Sequence, residues 1–227
     1  MAALRLLLAI AYPLLAHAAT LDGSGALALA AMVDLCLIVL LLPLALRRPW
    51  AWSLLGLLVA GLWTLRDTPY PQLMLLAPPM VFTALLSWWF GRSLRAPRVP
   101  LITRIVAGLE QCEPAALAPE LYRYTRRLTA TWAWLLAGLS LANLVLALIA
   151  VPDGLLVRLG YPPVVTVPQQ AWSWFANLLN HGIVGGFFIG EYALRGRWFP
   201  DRPYRNFVDF LRRLGALGPK FWGELFH

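Results

Sequence analysis

Several polar side chains interrupt the long apolar stretches of this sequence, and they are the residues that could do chemistry. One apolar stretch near the C-terminus is long enough to cross a bilayer and contains four of them: Asn177, Asn180, His181 and Glu191. Polar groups are costly inside hydrocarbon, so they usually face other protein or a cavity. The pattern favours an interhelical hydrogen-bond network, with a catalytic or transport site as the alternative.

Other apolar stretches place polar residues at a similar depth. Asp34 and Asn143 each lie about eight residues from the outer edge of their stretch, which matches the position of Asn180 and corresponds to about 12–14 Å of helix. An unpaired carboxylate is unfavourable at this depth, and a histidine can pair with it. We therefore predict that Asp34 faces His181 or shares a water with it. The remaining members of this predicted intramembrane polar cluster are Asn143, Asn177 and Asn180.

Two further features concern the inner end and the opposite face of the C-terminal stretch. Glu191 and Arg195 are four residues apart, and this helical spacing predicts an ion pair at the inner membrane edge. Glycines recur at every fourth residue on roughly the opposite face, at Gly182, Gly186 and Gly190. Such a stripe allows another helix to approach closely, so it predicts helix packing.

Evidence for catalysis is weak. His17 and Asp22 match the H-x-x-x-x-D pattern of glycerolipid-type acyltransferases, in which the histidine is the base and the aspartate orients it. The match stands alone at a predicted membrane boundary, and chance is the favoured explanation. The sequence contains no nucleophile elbow, Walker loop or zinc-protease motif, and Cys36 and Cys112 fit neither a disulfide nor a zinc site. We expect a non-enzymatic protein without a metal or other cofactor.

The composition indicates that membrane helices position these residues. The chain has 227 residues, of which 60% are hydrophobic and 13% charged, whereas soluble domains carry roughly 25% charged residues. We predict an all-α fold, a polytopic helical membrane bundle of about six spans plus interfacial amphipathic helices, forming a single membrane domain over residues 1–227. The predicted spans are 4–19, 26–46, 50–65, 72–90, 128–151 and 171–194.

Basic residues predict the orientation of these spans. Arginines are concentrated in the loop 91–127 and the tail 195–227, whereas only Arg66 and Arg158 fall on the other side of the predicted membrane. The positive-inside rule therefore places both termini, this loop and this tail in the cytoplasm, and the proline-rich loop 152–170 outside. The net charge of +8 follows this topology and does not indicate a nucleic-acid partner.

Three segments outside the confident spans carry further expectations. The first apolar run fits either an uncleaved span or a secretory signal, because Ala16-His17-Ala18 resembles a cleavage site; we prefer the span. Apolar residues recur at helical spacing in 101–109 and 207–214, which predicts two amphipathic helices on the membrane surface. Gly218-Pro219 is predicted to end the second of them.

Three stretches resemble a family of small bacterial membrane proteins: PLITRIVAGLE, ELYRYTRRLTATWAW and GEYALRGRWFPDRPYRNFVDFLRRL. The genes of this family lie in clusters for aryl-polyene pigments of the xanthomonadin kind, and its members often carry the label "ketosynthase". The resemblance covers most of the chain from about Pro97 onward. It implies pigment biosynthesis at a bacterial inner membrane and no particular reaction. The chain contains no ketosynthase cysteine-histidine-histidine constellation and is too hydrophobic for that soluble fold.

Three functions are compatible with these features. The first is an inner-membrane accessory protein that helps to assemble, anchor or transfer a lipid-linked polyene, in contact with the lipid bilayer and with acidic acyl-carrier partners at its basic cytoplasmic face. The second is a small transporter or lipid flippase that uses the intramembrane polar layer. The third is an intramembrane acyltransferase, for which His17 and Asp22 are the only motif.

Overall fold

The structure is a computed structural model that describes residues 2–68, 70–199 and 203–226. It is almost entirely helical, and the all-α class predicted from the sequence is confirmed. The chain divides into two compact units. Unit 1 comprises Met1–Val81 and Ser140–Gly182, and unit 2 comprises Phe82–Leu139 and Ile183–His227.

The described residues form the following helices, in chain order: α1 (Ala2–Asp22), α2 (Gly25–Ala45), α3 (Pro49–Leu65), α4 (Tyr70–Met74), α5 (Ala77–Ser93), α6 (Leu101–Leu109), a 3₁₀ turn (Pro114–Ala116), α7 (Pro119–Ile149), α8 (Leu155–Arg158), α9 (Gln169–Trp174), a π-helical turn (Phe175–Leu179), α10 (Asn180–Trp198), α11 (Phe207–Ala216) and α12 (Gly218–Phe226). Two short strands, β1 (Ala150–Val151) and β2 (Val167–Pro168), pair in parallel. The sequence pattern gave no indication of this pair.

Helices α1, α2 and α7 are long and apolar enough to cross a membrane, and α3 is apolar but shorter. These helices mark the chain as a membrane protein. In unit 1, α1 and α2 form a hairpin whose turn contains Gly23 at a φ of +64°, a conformation that glycine adopts without strain. Small residues such as Ala16, Ala19 and Ala31 are buried between these helices and allow their backbones to approach closely.

The predicted fourth span, 72–90, is two helices in the structure. Helix α4 ends at Met74 and α5 begins at Ala77. Pro78 explains the break, because a proline has no N–H to donate to the carbonyl four residues earlier, and its ring clashes with that carbonyl. Leu75 N still donates to Pro71 O, four residues earlier, whereas Leu76 N donates to Leu73 O and closes a tighter turn between the two helices.

The segment 101–109 differs from the prediction in what covers its apolar side. It forms the helix α6, as its periodicity predicts, but its apolar side packs inside unit 2. Val106 and Ala107 pack against Leu117, and Leu109 packs against Phe210 of α11. This apolar face is covered by protein and therefore cannot lie in lipid. Sequence periodicity reports that a face is buried, but it does not report what covers that face.

The predicted end of the second amphipathic helix is confirmed, and a helix that was not predicted follows it. Helix α11 ends at Ala216, and Gly218 has a φ of +79°. The left-handed glycine redirects the chain, and a further helix, α12, starts there. Gly218-Pro219 therefore ends α11, as predicted, and it also begins α12, which the sequence pattern did not predict.

Candidate functional site

Unit 1 contains the predicted intramembrane polar cluster, and most of its members are buried. Asp34, Asn143, Asn177 and Asn180 are each at most 6% exposed. His181 is the exception, because its side chain is exposed. His181 follows Asn180 by one residue, which is a rotation of about 100° around a helix. At its N-terminal end, α10 therefore buries the side that carries Asn180 and exposes the side that carries His181.

The predicted contact between Asp34 and His181 does not form in the structure. No hydrogen bond or ion pair joins these two described residues. The His181 Nδ1 atom instead lies 3.0 Å from the backbone oxygen of Asn177, one turn earlier in its own chain. Neither Asp34 Oδ2 nor the hydroxyl of Tyr12 in α1 has a hydrogen-bond partner.

A short hydrogen-bond network connects α1 to the π-helical turn. The His17 Nδ1 atom lies 2.9 Å from Ser173 Oγ, and the His17 ring meets Trp174 edge-on, with the ring centroids 4.8 Å apart. Asn177 Nδ2 donates to both Ser173 O and Ser173 Oγ at 3.2 Å. Asn177 lies in the π-helical turn itself, an element that is rare and frequent at functional sites. Sequence reasoning missed Ser173. Its position one helical turn before Asn177 was a usable signal, because this spacing places both residues on the same helix face.

The structure does not assemble the acyltransferase-like pair. His17 and Asp22 lie on the same helix, α1, five residues apart, which separates them by about 140° around the helix axis. Asp22 is exposed, whereas His17 bonds to Ser173. The carboxylate therefore does not orient the imidazole, as a base–orienter pair requires.

The glycine stripe does not pack a helix of the described chain, contrary to the prediction. Gly182, Gly186 and Gly190 are exposed, and a Cβ atom added at any of them would meet no neighbouring atom within 4 Å. Glycine spacing permits a close approach but cannot require one, because the approach also needs a partner helix.

Unit 2 contains a buried charged group built from α7 and α10. Arg195 Nε lies 3.3 Å from Glu191 Oε1, and both side chains are 8% exposed. The Tyr124 hydroxyl donates to the same Glu191 oxygen at 3.0 Å. The Arg195 guanidinium also lies over the rings of Tyr204 and Phe210, at 5.8 and 5.4 Å from their centroids. Such contacts with ring faces stabilise a cation that is out of water.

The ion pair forms part of the wall of a cavity of about 270 Å³ in unit 2. The remaining lining is apolar and comes from helices α5, α6, α7, α10 and α11. It consists of Leu86, Phe90, Ile102, Ile105, Val106, Leu128, Trp132, Leu136, Val184, Phe188, Phe210 and Leu214. Arg195 Nε is within ion-pair distance of Glu191 but makes no hydrogen bond. An apolar cavity with a buried, unsatisfied donor in its wall is suited to an elongated apolar ligand with a polar end.

A scan of protein-family models and searches of curated proteins and of solved structures gave no match to this chain. Within the described residues, no three His, Cys, Asp or Glu side chains come together as a metal site. A functional assignment therefore depends on the polar cluster of unit 1 and on the apolar cavity of unit 2.

Proposed function

We propose that this protein is an inner-membrane accessory protein that binds an acyl or polyene chain during the biosynthesis or transfer of a lipid-linked pigment. The observation that carries the proposal is the apolar cavity of unit 2 with Glu191 and Arg195 in its wall. The resemblance of the C-terminal half to proteins of aryl-polyene gene clusters motivates the pathway.

The lining of the cavity favours a hydrocarbon chain over a polar ligand. Twelve of its 14 lining residues are apolar, and they include Phe90, Trp132 and Phe188. Burying apolar surface there contributes roughly 25 cal/mol per Å². Aromatic rings also offer faces and edges against which a conjugated chain can pack. Its volume of about 270 Å³ suits one chain segment more closely than a large polycyclic molecule.

Arg195 gives the cavity a polar end. Its Nε atom lies 3.3 Å from Glu191 Oε1 but is buried without a hydrogen bond, and a buried donor that lacks a hydrogen bond costs about 1–3 kcal/mol. A carbonyl or carboxyl oxygen of the ligand would accept from this group and remove that cost. The ligand would thus lie with its hydrocarbon portion among the aromatic residues and its oxygenated end at Arg195.

Binding of a conjugated polyene fatty acid by the purified protein tests this proposal. We expect saturable enhancement of the fluorescence of cis-parinaric acid, and competition by a saturated fatty acid of equal length. The methyl ester of the probe should bind more weakly, because a neutral ester oxygen accepts a weaker hydrogen bond from arginine than a carboxylate oxygen does. A signal equal to that of empty detergent micelles would contradict the binding role.

Deletion of the gene without any change in the amount or membrane location of the polyene would contradict the pathway.

The proposed topology has six crossings with both termini in the cytoplasm, and it follows from the distribution of arginine. We expect a cysteine introduced at Arg158 to react with an impermeant thiol reagent added to intact cells after opening of the outer membrane. A cysteine introduced at Arg95 should react only after the inner membrane is disrupted. Cys36 and Cys112 would be replaced by serine beforehand. Labelling of position 158 only from the cytoplasmic side would overturn this orientation.

A further inference from the structure

Four arginines line two adjoining concave surfaces at the C-terminal end of α5, in unit 2. One surface has a volume of about 60 Å³ and is lined in part by Arg92, Arg98 and Arg104. The other has a volume of about 370 Å³ and is lined in part by Arg92, Arg95 and Arg98. None of the described residues that line them is acidic. Two arginines are common to both surfaces, so the four form a single basic site.

The local backbone explains why these side chains come together. Ser93 ends α5, and its Oγ donates to Phe90 O and accepts from Leu101 N at 3.0 Å, which joins the ends of α5 and α6. Between these helices the chain makes successive turns, with Arg95 N bonded to Arg92 O and Arg98 N bonded to Arg95 O. These tight turns place arginines that are three residues apart on the same concave surface.

Two of the arginines are also positioned by neighbouring groups. The Arg92 guanidinium lies 5.1 Å from the centroid of the Trp88 ring. Arg104 donates to the backbone oxygen of Glu224 at 3.0 Å. The ring of Trp88 and the backbone oxygen of Glu224 are both uncharged. Several like charges held close together raise the local potential and attract an anion, and the arginine fork is well matched to phosphate oxygens.

The same face of α5 exposes apolar side chains. Phe82, Leu85 and Trp88 are each at least 59% exposed, and at about 100° per residue they lie with Arg92 within an arc of about 120°. A tryptophan at the end of such a stripe is typical of the membrane–water interface. An acyl chain along this stripe would bring its phosphate to the arginines. A free phosphate would use only the arginines and would leave the exposed apolar surface unexplained.

The geometry points to a binding site for the phosphate headgroup of an anionic membrane phospholipid, formed by Arg92, Arg95, Arg98 and Arg104 with Trp88 beside it. This site shares no lining residue with the apolar cavity. It is therefore separate from the proposed polyene-binding function. It gives the protein a means of retaining a bilayer lipid at the end of α5.

Lipid titration of the purified full-length protein in a neutral detergent, followed by native mass spectrometry, tests this site. The comparison uses phosphatidylglycerol and phosphatidylcholine of identical chains. The site variant is Arg92→Gln/Arg95→Gln/Arg98→Gln, and the control variant is Arg123→Gln/Arg126→Gln/Arg127→Gln, which removes the same charge from exposed positions outside the site. We expect about tenfold weaker binding of phosphatidylglycerol by the site variant, which corresponds to about 1.4 kcal/mol, because solvent weakens ion pairs at exposed arginines. The control variant should bind as the wild type does.

Three outcomes would overturn the proposal. They are equal binding of the two lipids by the wild type, equal loss in the site and control variants, and full competition by inorganic phosphate at the concentration of the lipid. The last result would identify a free-phosphate site. If the triple site variant does not fold, Arg95→Gln/Arg98→Gln decides the question, since both residues are exposed. The same loss relative to an Arg126→Gln/Arg127→Gln control is then expected, and its absence would overturn the site.

Discussion

Replacement of Glu191 by alanine is expected to destabilise the protein by about 3–5 kcal/mol, because it leaves the buried Arg195 without its counter-ion. The side chain of Arg195 is only 8% exposed and cannot recover this loss by turning into water without leaving the rings of Tyr204 and Phe210. The Tyr124 hydroxyl loses its acceptor at the same time. The measurement is the free energy of unfolding in mixed micelles of detergent and dodecyl sulfate, followed by tryptophan fluorescence.

The double variant Glu191→Leu/Arg195→Met is the matched control. It removes both charges and keeps similar volume, a change that is often neutral or stabilising by about 1–4 kcal/mol at buried ion pairs. We expect its stability to equal or exceed that of the wild type. Equal stability of Glu191→Ala and the wild type would show that the pair is hydrated, and would contradict the description of a buried charge in the cavity wall.

Local sequence patterns predict well those features that depend on neighbours along the chain. The spacing of Glu191 and Arg195 places their side chains on one helix face, and the structure has them 3.3 Å apart. The apolar runs give α1, α2 and α3, with bounds within a few residues of those in the structure. The ion pair joins two side chains one helical turn apart. The helices follow from the apolar character of consecutive side chains along each run.

Features that depend on which elements meet could not be predicted in this way. Equal depth in the membrane suggested Asp34 and His181 as partners, but depth does not fix rotation about the helix axis. The π-helical turn at 175–179 also changes this rotation, because an extra residue in a helical turn shifts the angular position of all later side chains around the axis. The apolar periodicity of α6 likewise indicated a buried face, whereas its partners in α7 and α11 became visible only in the structure.

The cavity is the clearest example of a site without a sequence signature. Its lining comes from five helices distributed between Leu86 and Leu214, and nearly all of these residues are ordinary apolar side chains. Such residues are predicted as core, and a sequence does not reveal that the core contains a space. Only Glu191 and Arg195, which are polar, could be selected beforehand.

Filling this space is expected to weaken binding of the polyene probe strongly. Val184 lines the cavity from α10 and is partly buried. In the variant Val184→Phe, an aromatic ring would occupy volume that the ligand needs, and interiors do not compress to make room. We expect binding of the probe to weaken by about tenfold or more, which corresponds to about 1.4 kcal/mol or more. Fluorescence titration of the purified variant measures this change.

The neighbouring residue Ile183 provides the matched control. It is also β-branched and lies on the same helix, but it is 39% exposed and does not line the cavity. Ile183→Phe should therefore bind the probe as the wild type does. Because overpacking costs about 1–3 kcal/mol, thermal unfolding of both variants separates a loss of binding from a loss of folding. Unchanged binding by a folded Val184→Phe would exclude the cavity as the binding site. The cavity would then be only a packing defect in unit 2.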